Sequence, residues 1–257
     1  MAISVPIPRV PPIWLEGRVA LEAAALMRSD VWGGYGVPAG DGRPVLLIPG
    51  FLAGDGTLAT MARWLQASGW RAKRAGIRIN VACSQDACER LEARLEELAA
   101  ETGARVVIVG QSRGGVLARA LGARRPDLVS GIVTLGSPVL SQLAVHPLVL
   151  AQVLLVGAMG TGRVPGLFSI DCLRGECCEP FRADLARDFP PEVGYVAIYS
   201  RTDGIVDWRS CLDPGASDLV DIPASHCGMS LNHHAYRAVA VALRAFAEYE
   251  DDLPRAA

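Results

Sequence analysis

The chain has 257 residues, of which 51% are hydrophobic, and 25 basic and 27 acidic residues give it a net charge of −2. A chain of this length buries one large core, and its composition is unlike that of disordered or fibrous proteins. The charges are spread along the sequence without a block of one sign. We therefore expect no nucleic-acid-binding surface and no charged membrane-binding patch.

The first twelve residues, MAISVPIPRVPP, lack the basic and apolar regions of a secretory signal, and their prolines disfavour its helix. The longest apolar stretch, at 139–160, is interrupted by polar residues and by Pro147, which makes it a poor membrane span. We expect a cytoplasmic protein without stable membrane insertion. Its oligomeric state is left open.

Short apolar runs typical of β-strands recur along the chain. The run at 44–48 is apolar throughout, as in a strand that is buried on both faces of a parallel sheet. The predicted strands lie at 44–48, 70–79, 105–109, 129–135, 194–200 and 218–223.

Helical patterns separate these strands. They are predicted at 14–27, 55–69, 84–103, 116–125 and 232–249. Asp55 and Ser84 are the expected N-caps, and Gly69 and Gly103 the expected C-terminal ends, of two of these helices. The first helix is expected on the outside of the domain, without a chemical role. The alternation predicts an α/β fold, a mainly parallel sheet flanked by helices, because parallel neighbours need crossover connections.

The segment at 139–191 lies between two predicted strands and is too long for an ordinary connection. We interpret it as a cap or lid inserted into a single catalytic domain that spans 1–257. Its apolar residues are expected to form a buried helix that also lines a ligand pocket. They are Leu148, Leu150, Val153, Leu154 and Leu155.

Ser112 is the candidate nucleophile. It lies in the Gly-x-Ser-x-Gly pattern of VIVGQSRGG, between a predicted strand and a predicted helix. In that context a sharp turn lifts the serine hydroxyl out at the carboxyl end of the sheet. Only small neighbours fit such a turn, and Gly110, Gly114 and Gly115 meet that need.

A serine hydroxyl is a weak nucleophile at neutral pH and needs a general base. The sequence has four histidines: His146, His226, His233 and His234. His226 follows the last predicted strand in a loop that can reach the serine, so it is the candidate base. The other three lie in the inserted segment or at the start of the last helix.

The base needs an acceptor at its other ring nitrogen to fix its tautomer. Asp203, in SRTDGIVDW, follows the preceding predicted strand and gives the chain order Ser, Asp, His. It is the preferred acid because it lies nearest the end of that strand, and Asp207 is the alternative. If neither residue were catalytic, Asp203 would be an ordinary turn residue and His226 an ordinary loop residue.

The motifs LLIPGF, VIVGQSRGG, TLGSP, SRTDGIVDW and SHCGM occur in this order. With them the chain resembles the lipase and esterase branch of the α/β-hydrolase superfamily, from about residue 44 to the end of the last helix. Lipases of this branch usually have His-Gly where this chain has Pro49 and Gly50. The support that this histidine gives is therefore missing here.

The resemblance implies that two backbone N–H groups stabilise the oxyanion formed in acyl transfer. One belongs to Arg113, the residue after the nucleophile. The other comes from the loop after the first strand, where Phe51 is assigned and Leu52 is the alternative.

The implied activity is hydrolysis of a carboxylic ester with a hydrophobic acyl group through an acyl-enzyme, without cofactor or metal. Acyl transfer to an alcohol or amine by the same triad is the first alternative, and a non-catalytic binding module is the second. Nucleotide binding is disfavoured because no Gly-x-Gly-x-x-Gly follows the first strand and no P-loop lysine is present.

Seven cysteines leave at least one unpaired. Four of them, Cys172, Cys177, Cys178 and Cys211, lie around the inserted segment and the acid loop. A disulfide between cap and core is one interpretation, but a cytoplasmic location disfavours it. A zinc site is another, although C-x4-C-C lacks the usual C-x2-C spacing. We expect small, buried, apolar thiols.

Overall fold

The predicted strands form one six-stranded sheet in the computed structural model, which describes residues 10–253. Its strands are β1 (Pro44–Ile48), β2 (Arg71–Arg74), β3 (Val106–Gln111), β4 (Val129–Leu135), β5 (Gly194–Tyr199) and β6 (Asp218–Asp221). The order is β2-β1-β3-β4-β5-β6, and all neighbours pair in parallel. The predicted parallel α/β sheet is confirmed. Residues 1–9, which include most of the segment judged not to be a signal sequence, lie outside the described part.

Eight α-helices are described. They are α1 (Val19–Met27), α2 (Ala59–Ala67), α3 (Ser84–Thr102), α4 (Arg113–Arg124), α5 (Pro147–Thr161), α6 (Asp171–Arg174), α7 (Glu179–Ala186) and α8 (His233–Asp252). A 3-10 turn at Ile13–Arg18 leads into α1, so the first predicted helix is confirmed as two joined pieces. None of the described helices is long and apolar enough to cross a membrane.

The helices cover the two faces of the sheet. Because side chains alternate along a strand, Val45 and Leu47 of β1 pack with α1, α2 and α8, whereas Leu46 and Ile48 pack with α3, α4 and α7. Both faces of β1, β3 and β4 are buried. This double burial explains why these strands are apolar throughout and why their sequence shows no alternation.

Two predicted N-caps are wrong. Asp55 begins a 3-10 turn, and its carboxylate accepts hydrogen bonds from the N–H groups of Gly76 and Ile77 at 2.9 and 3.1 Å. These bonds redirect the chain after β2, which is why the strand expected at 70–79 is shorter. Ser84 is the first residue of α3, with Cys83 as N-cap and no side-chain capping bond. Gly103 ends α3 in the left-handed conformation, as predicted (φ 66°).

Residues 139–191 leave the sheet after β4 and return to it at β5, and they contain α5, α6 and α7. The expectation of a buried apolar helix is wrong for α5. Leu148, Leu154 and Leu155 are 61%, 47% and 60% exposed, whereas Val153 is partly buried. An apolar helix with such exposed side chains is typical of an interaction surface or of the wall of a groove.

A buried ion pair fixes the end of this segment to the core. Arg119 of α4 pairs with Asp213 at 3.1 Å, and only 5% and 6% of their side-chain surfaces are exposed. The same guanidinium donates to the carbonyl oxygens of Asp184 and Arg187, both at 2.8 Å, at the C-terminal end of α7. Arg119 thus holds three chain segments together.

Replacing this arginine should destabilise the fold strongly. Arg119→Met leaves the Asp213 carboxylate buried and unpaired, so we expect the free energy of unfolding to fall by about 3–5 kcal/mol. Urea denaturation followed by circular dichroism measures the change. The matched control is Arg237→Met, in the exposed pair with Asp30, which should change stability by less than about 1 kcal/mol. Equal effects of the two substitutions would contradict this role of Arg119.

Candidate active site

Ser112 lies at the sharp turn between β3 and α4. Its backbone has φ 52° and ψ −122°, a conformation that non-glycine residues rarely adopt. Such strain costs about 1–3 kcal/mol and persists only where the surrounding structure enforces it. The predicted strand, turn and helix around the serine are all present, with the Ser112 N–H bonded to the Leu135 carbonyl at 2.8 Å.

Two glycines allow α4 to pack directly against the sheet at this turn. A Cβ on Gly110 would lie 2.4 Å from the carbonyl oxygen of Gly114, and one on Gly114 would lie 2.2 Å from that of Ile48. Contacts this short exclude any side chain at either position. The close packing holds Ser112 above the carboxyl ends of β1 and β3.

His226 and Asp203 form a buried pair. The His226 Nδ1 lies 2.7 Å from Asp203 Oδ2, and both side chains are almost entirely inaccessible to solvent. The second carboxylate oxygen, Oδ1, accepts hydrogen bonds from the N–H groups of Ile205 and Val206 at 2.8 and 2.7 Å. Both carboxylate oxygens of Asp203 therefore accept hydrogen bonds, one set from the backbone and one from the histidine. These bonds fix the orientation of the Asp203 side chain.

The alternative residues have other contacts. Asp207 accepts from the N–H of Arg209 and pairs with its guanidinium, both at 3.1 Å. His146 is the N-cap of α5, and His233 and His234 lie in the first turn of α8. Of the two candidate acids, Asp203 contacts the candidate base.

Opposing effects act on the charge of His226. Burial acts to lower the pKa of this imidazole, but the charge and hydrogen bond of Asp203, together with the charge of Glu16, outweigh burial and raise the pKa above its ordinary value. Since Asp203 occupies Nδ1, the ring nitrogen Nε2 remains available to a proton donor.

Ser112 and His226 line the same cavity, of about 220 Å³, together with the loop after β1. Among the described residues no hydrogen bond joins the two side chains. In substrate-free sites such contacts are often long and tighten only when substrate binds. The side chain of Gln111, next to the serine, donates to the His226 carbonyl at 3.0 Å and so ties the two loops together.

The two predicted oxyanion donors also lie at this edge of the sheet. Phe51 follows β1 and forms an isolated parallel bridge with Asn80, and Arg113 begins α4. Leu52, the alternative donor, has φ 57°, a second strained non-glycine residue beside Ser112.

Asn80 supports this loop, and the sequence analysis missed it. Its side chain is buried and donates to the Pro49 carbonyl at 2.8 Å, while its backbone N–H donates to Ala53 at 2.8 Å. The Asn80 side-chain oxygen in turn accepts from Arg113 Nε at 3.2 Å. Asn80 therefore links the loop after β1 to the residue that follows the serine, where Pro49 replaces the usual histidine.

Ser112 also lines a second cavity, of about 130 Å³. Its walls are largely apolar and come from the core and from the segment 139–191. The apolar lining side chains include Val116, Val149, Val153, Phe168, Leu173 and Phe181. The apolar walls suit an alkyl or aryl group attached to a carbonyl that lies at the serine.

Glu16, in the 3-10 turn before α1, holds the histidine loop and was also missed. One of its carboxylate oxygens accepts from the N–H groups of Gly204 and His226 at 2.9 and 2.8 Å. The other accepts from the N–H of Cys227 at 2.9 Å. The expectation that this region has no chemical role is wrong, because it positions the loops of both the candidate acid and the candidate base.

Glu22 of α1 makes a parallel set of contacts. Its carboxylate accepts from the backbone N–H of Ser225 at 2.8 Å and from the Ser225 hydroxyl at 2.6 Å. Arg18 pairs with Glu22 at 3.1 Å and also donates to the Thr202 hydroxyl at 2.6 Å. A lone carboxylate in the apolar run VALEAAALM was the only signal for this contact in the sequence.

Comparison with known proteins extends only to the fold. No protein-family model matches the chain, and no curated protein sequence matches it. The mature form of a lipase from Bacillus licheniformis is 17% identical, with a TM-score of 0.59 over 80% of this chain and 93% of the lipase. A monoacylglycerol lipase from Paleococcus ferrophilus is 16% identical, with a TM-score of 0.55 over 80% of this chain and 96% of that one.

A soluble variant of the monoglyceride lipase from Saccharomyces cerevisiae, solved with a substrate analogue, is 15% identical. Its TM-score is 0.53, over 83% of this chain and 90% of the yeast chain. These likenesses and the parallel sheet confirm the predicted α/β-hydrolase fold. At such identities these likenesses establish the fold alone.

Removing the charge of Glu16 should lower the pKa of His226. In Glu16→Gln the nearby negative charge that favours the imidazolium is lost, while the side chain keeps its size and one acceptor oxygen. The pKa is measured by NMR titration of the imidazole ring protons in wild type and variant. Glu248→Gln, on the last helix, is a control that should leave the titration unchanged. A pKa that stays equal or rises in Glu16→Gln would contradict the assigned effect of Glu16.

Proposed function

We propose that the protein hydrolyses carboxylic esters with Ser112 as nucleophile, His226 as general base and Asp203 as the residue that orients the base. The proposal depends chiefly on the buried 2.7 Å contact between Asp203 and His226, beside the cavity that Ser112 shares with the histidine. The α/β-hydrolase fold adds support, because in a parallel sheet the loops after β3, β5 and β6 lie at the same edge, and β5 and β6 are neighbours.

In the first step, Ser112 Oγ attacks the ester carbonyl carbon and its proton passes to His226 Nε2. Asp203 Oδ2 accepts the Nδ1–H of the resulting imidazolium and stabilises its charge. The carbonyl oxygen becomes negative, and the N–H groups of Phe51 and Arg113 are the proposed donors to it. Collapse of the tetrahedral intermediate expels the alcohol, which takes its proton from His226.

In the second step, water replaces the alcohol. His226 removes a proton from the water as it attacks the acyl-serine carbonyl, and Ser112 recovers a proton when the acid leaves. The same groups therefore act in the same roles twice. The neutral imidazole is the active form of His226, so the raised pKa of His226 moves the acid limb of the activity profile to higher pH than an unperturbed histidine would give.

We propose that the apolar cavity of about 130 Å³ receives the acyl group. Two of its walls, Val149 and Val153, belong to α5, so the segment 139–191 acts as the cap of this site. The exposed leucines of α5 extend the apolar surface beyond the cavity mouth. The apolar lining suits esters of hydrophobic acids, and Arg113 and Arg182 add two cationic side chains to the same cavity.

Replacing the serine tests the proposal. Ser112→Ala should reduce hydrolysis of a short and a long p-nitrophenyl ester by about a thousandfold or more, because no other hydroxyl is activated in its place. Release of p-nitrophenolate measures the rate, and comparing the two esters grades the depth of the acyl cavity. Ser68→Ala is the matched control and should retain full activity. Ser68 precedes β2 and so lies at the amino ends of the strands, whereas Ser112 lies at their carboxyl ends. Equal activity in wild type and Ser112→Ala would overturn the proposed triad.

Asn80 provides a separate test of the oxyanion site. Asn80→Ala removes the side-chain link between Pro49 and Arg113, so the loop with the Phe51 N–H is held less firmly. We expect kcat to fall by roughly tenfold with little change in KM, since the lost contact acts on the transition state. Steady-state kinetics with one ester separates the two constants, and melting curves confirm that the variant is folded. A change confined to KM would contradict this role.

A further inference from the structure

Four cysteine sulfurs meet at one place between the core and the segment 139–191. Cys83 lies immediately before α3, Cys172 lies in α6, and Cys177 and Cys178 lie in the 3-10 turn at Glu176–Cys178. All four Sγ atoms lie within 4.8 Å of one another. The last three cysteines lie close together in the sequence, whereas Cys83 is remote from them and gives no sequence signal of its own.

The spacing of the sulfurs matches a metal coordination sphere. The Sγ atoms of Cys83 and Cys178 are 3.3 Å apart, those of Cys172 and Cys177 are 3.6 Å apart, and those of Cys177 and Cys178 are 3.9 Å apart. Tetrahedral zinc with bonds of about 2.3 Å to sulfur separates its thiolates by about 3.8 Å. A disulfide would bring two sulfurs to about 2.05 Å, and all four residues are free cysteines.

Burial of apolar thiols, the expectation from sequence, does not explain this cluster. Cys177 is exposed, and Cys83 and Cys172 are only partly buried. Apolar burial favours no particular partner, so it gives no reason for four sulfurs to gather. Cys211, the fourth thiol considered from sequence, packs against Tyr199 and Val206 elsewhere and follows that expectation.

We propose that Cys83, Cys172, Cys177 and Cys178 form a structural zinc site. Four thiolates complete a tetrahedral shell and leave no open position for substrate or water, which is typical of structural rather than catalytic zinc. Soft thiolate ligands in tetrahedral geometry also disfavour magnesium and calcium. None of the four ligands belongs to the proposed triad, and the existence of the zinc site does not depend on the proposed esterase activity.

Positive charge surrounds the ligand loops. Four thiolates around Zn²⁺ carry a net charge of −2, which needs compensation in a partly buried place. The Arg113 guanidinium donates to the Ala82 carbonyl at 2.6 Å and to the Ser84 hydroxyl at 3.2 Å, the two neighbours of Cys83. A full positive charge therefore lies beside this ligand.

Arg182 makes a similar contact with the loop that carries the other ligands. Its Nη2 donates to the carbonyl of Gly175 at 2.7 Å, in the loop that joins Cys172 to Cys177. Its Nη1 is buried and has no hydrogen-bond partner among residues 10–253. An unpaired buried guanidinium N–H is costly beside neutral thiols and is favourable near an anionic metal centre.

The site would connect the segment 139–191 to the core. Cys83 belongs to the core, whereas the other three ligands belong to α6 and the turn after it. Cys172 also lines the apolar cavity beside Ser112, together with Leu173. Zinc would thus fix one wall of that cavity, and metal binding to an assembled site contributes directly to folding stability.

Metal analysis of the full chain tests the site. The protein is purified without a histidine tag and without chelators, and zinc is measured by inductively coupled plasma mass spectrometry. We expect about one zinc per wild-type chain and a cobalt-exchanged form with thiolate-to-cobalt absorption bands. Cys83→Ser and Cys178→Ser should each lose the metal. Cys88→Ala, which removes a buried sulfur of α3 outside the cluster, should keep it.

A wild-type readout covers the case in which the ligand variants do not fold. With zinc bound, the four cluster cysteines should resist alkylation until a chelator is added, and the melting temperature should fall when the metal is removed. Wild-type protein with less than about one zinc per ten chains would overturn the proposal, whether its thiols are free or mass spectrometry shows two disulfides. Zinc retained at wild-type level in a folded Cys83→Ser variant would overturn it as well.

Discussion

The packing of α4 against the sheet at the Ser112 turn is the constraint on which the site depends. Backbone atoms of Gly110, Gly114 and Ile48 approach so closely that no side chain fits between them. This contact forces Ser112 into a strained conformation, with φ 52°, and lifts its hydroxyl above the ends of the strands. β1, β3 and β4 are buried on both faces, and this burial stabilises the fold enough to offset the strain at Ser112.

Carboxylates from the start of the chain hold the other half of the site. Glu16 and Glu22 accept hydrogen bonds from consecutive backbone N–H groups of the loop around His226, and Glu16 also reaches the loop of Asp203. Charged acceptors bind backbone N–H groups more strongly than neutral ones do. Glu16 acts in two ways, because its position fixes the loop and its charge raises the pKa of the imidazole.

Sequence alone predicts what depends on local pattern. The four central strands are visible as apolar runs, and Ser112, Asp203 and His226 are predicted because each follows a strand whose end lies at one edge of a parallel sheet. Residues whose roles arise from distant partners are invisible to such patterns. Asn80 contacts Pro49 and Arg113, and Cys83 meets cysteines some ninety positions away, so neither has a local signal. Their roles became apparent only when the fold brought the segments together.

The central claim is that Ser112 is activated by His226, and covalent labelling tests it most directly. The folded protein is treated with a fluorophosphonate, and the adduct is located by peptide mass spectrometry. We expect one adduct per chain, on Ser112, and we expect it to form at least about a hundredfold more slowly in His226→Asn because the base is lost. An adduct on another residue, no adduct at all, or equal labelling in His226→Asn would contradict it.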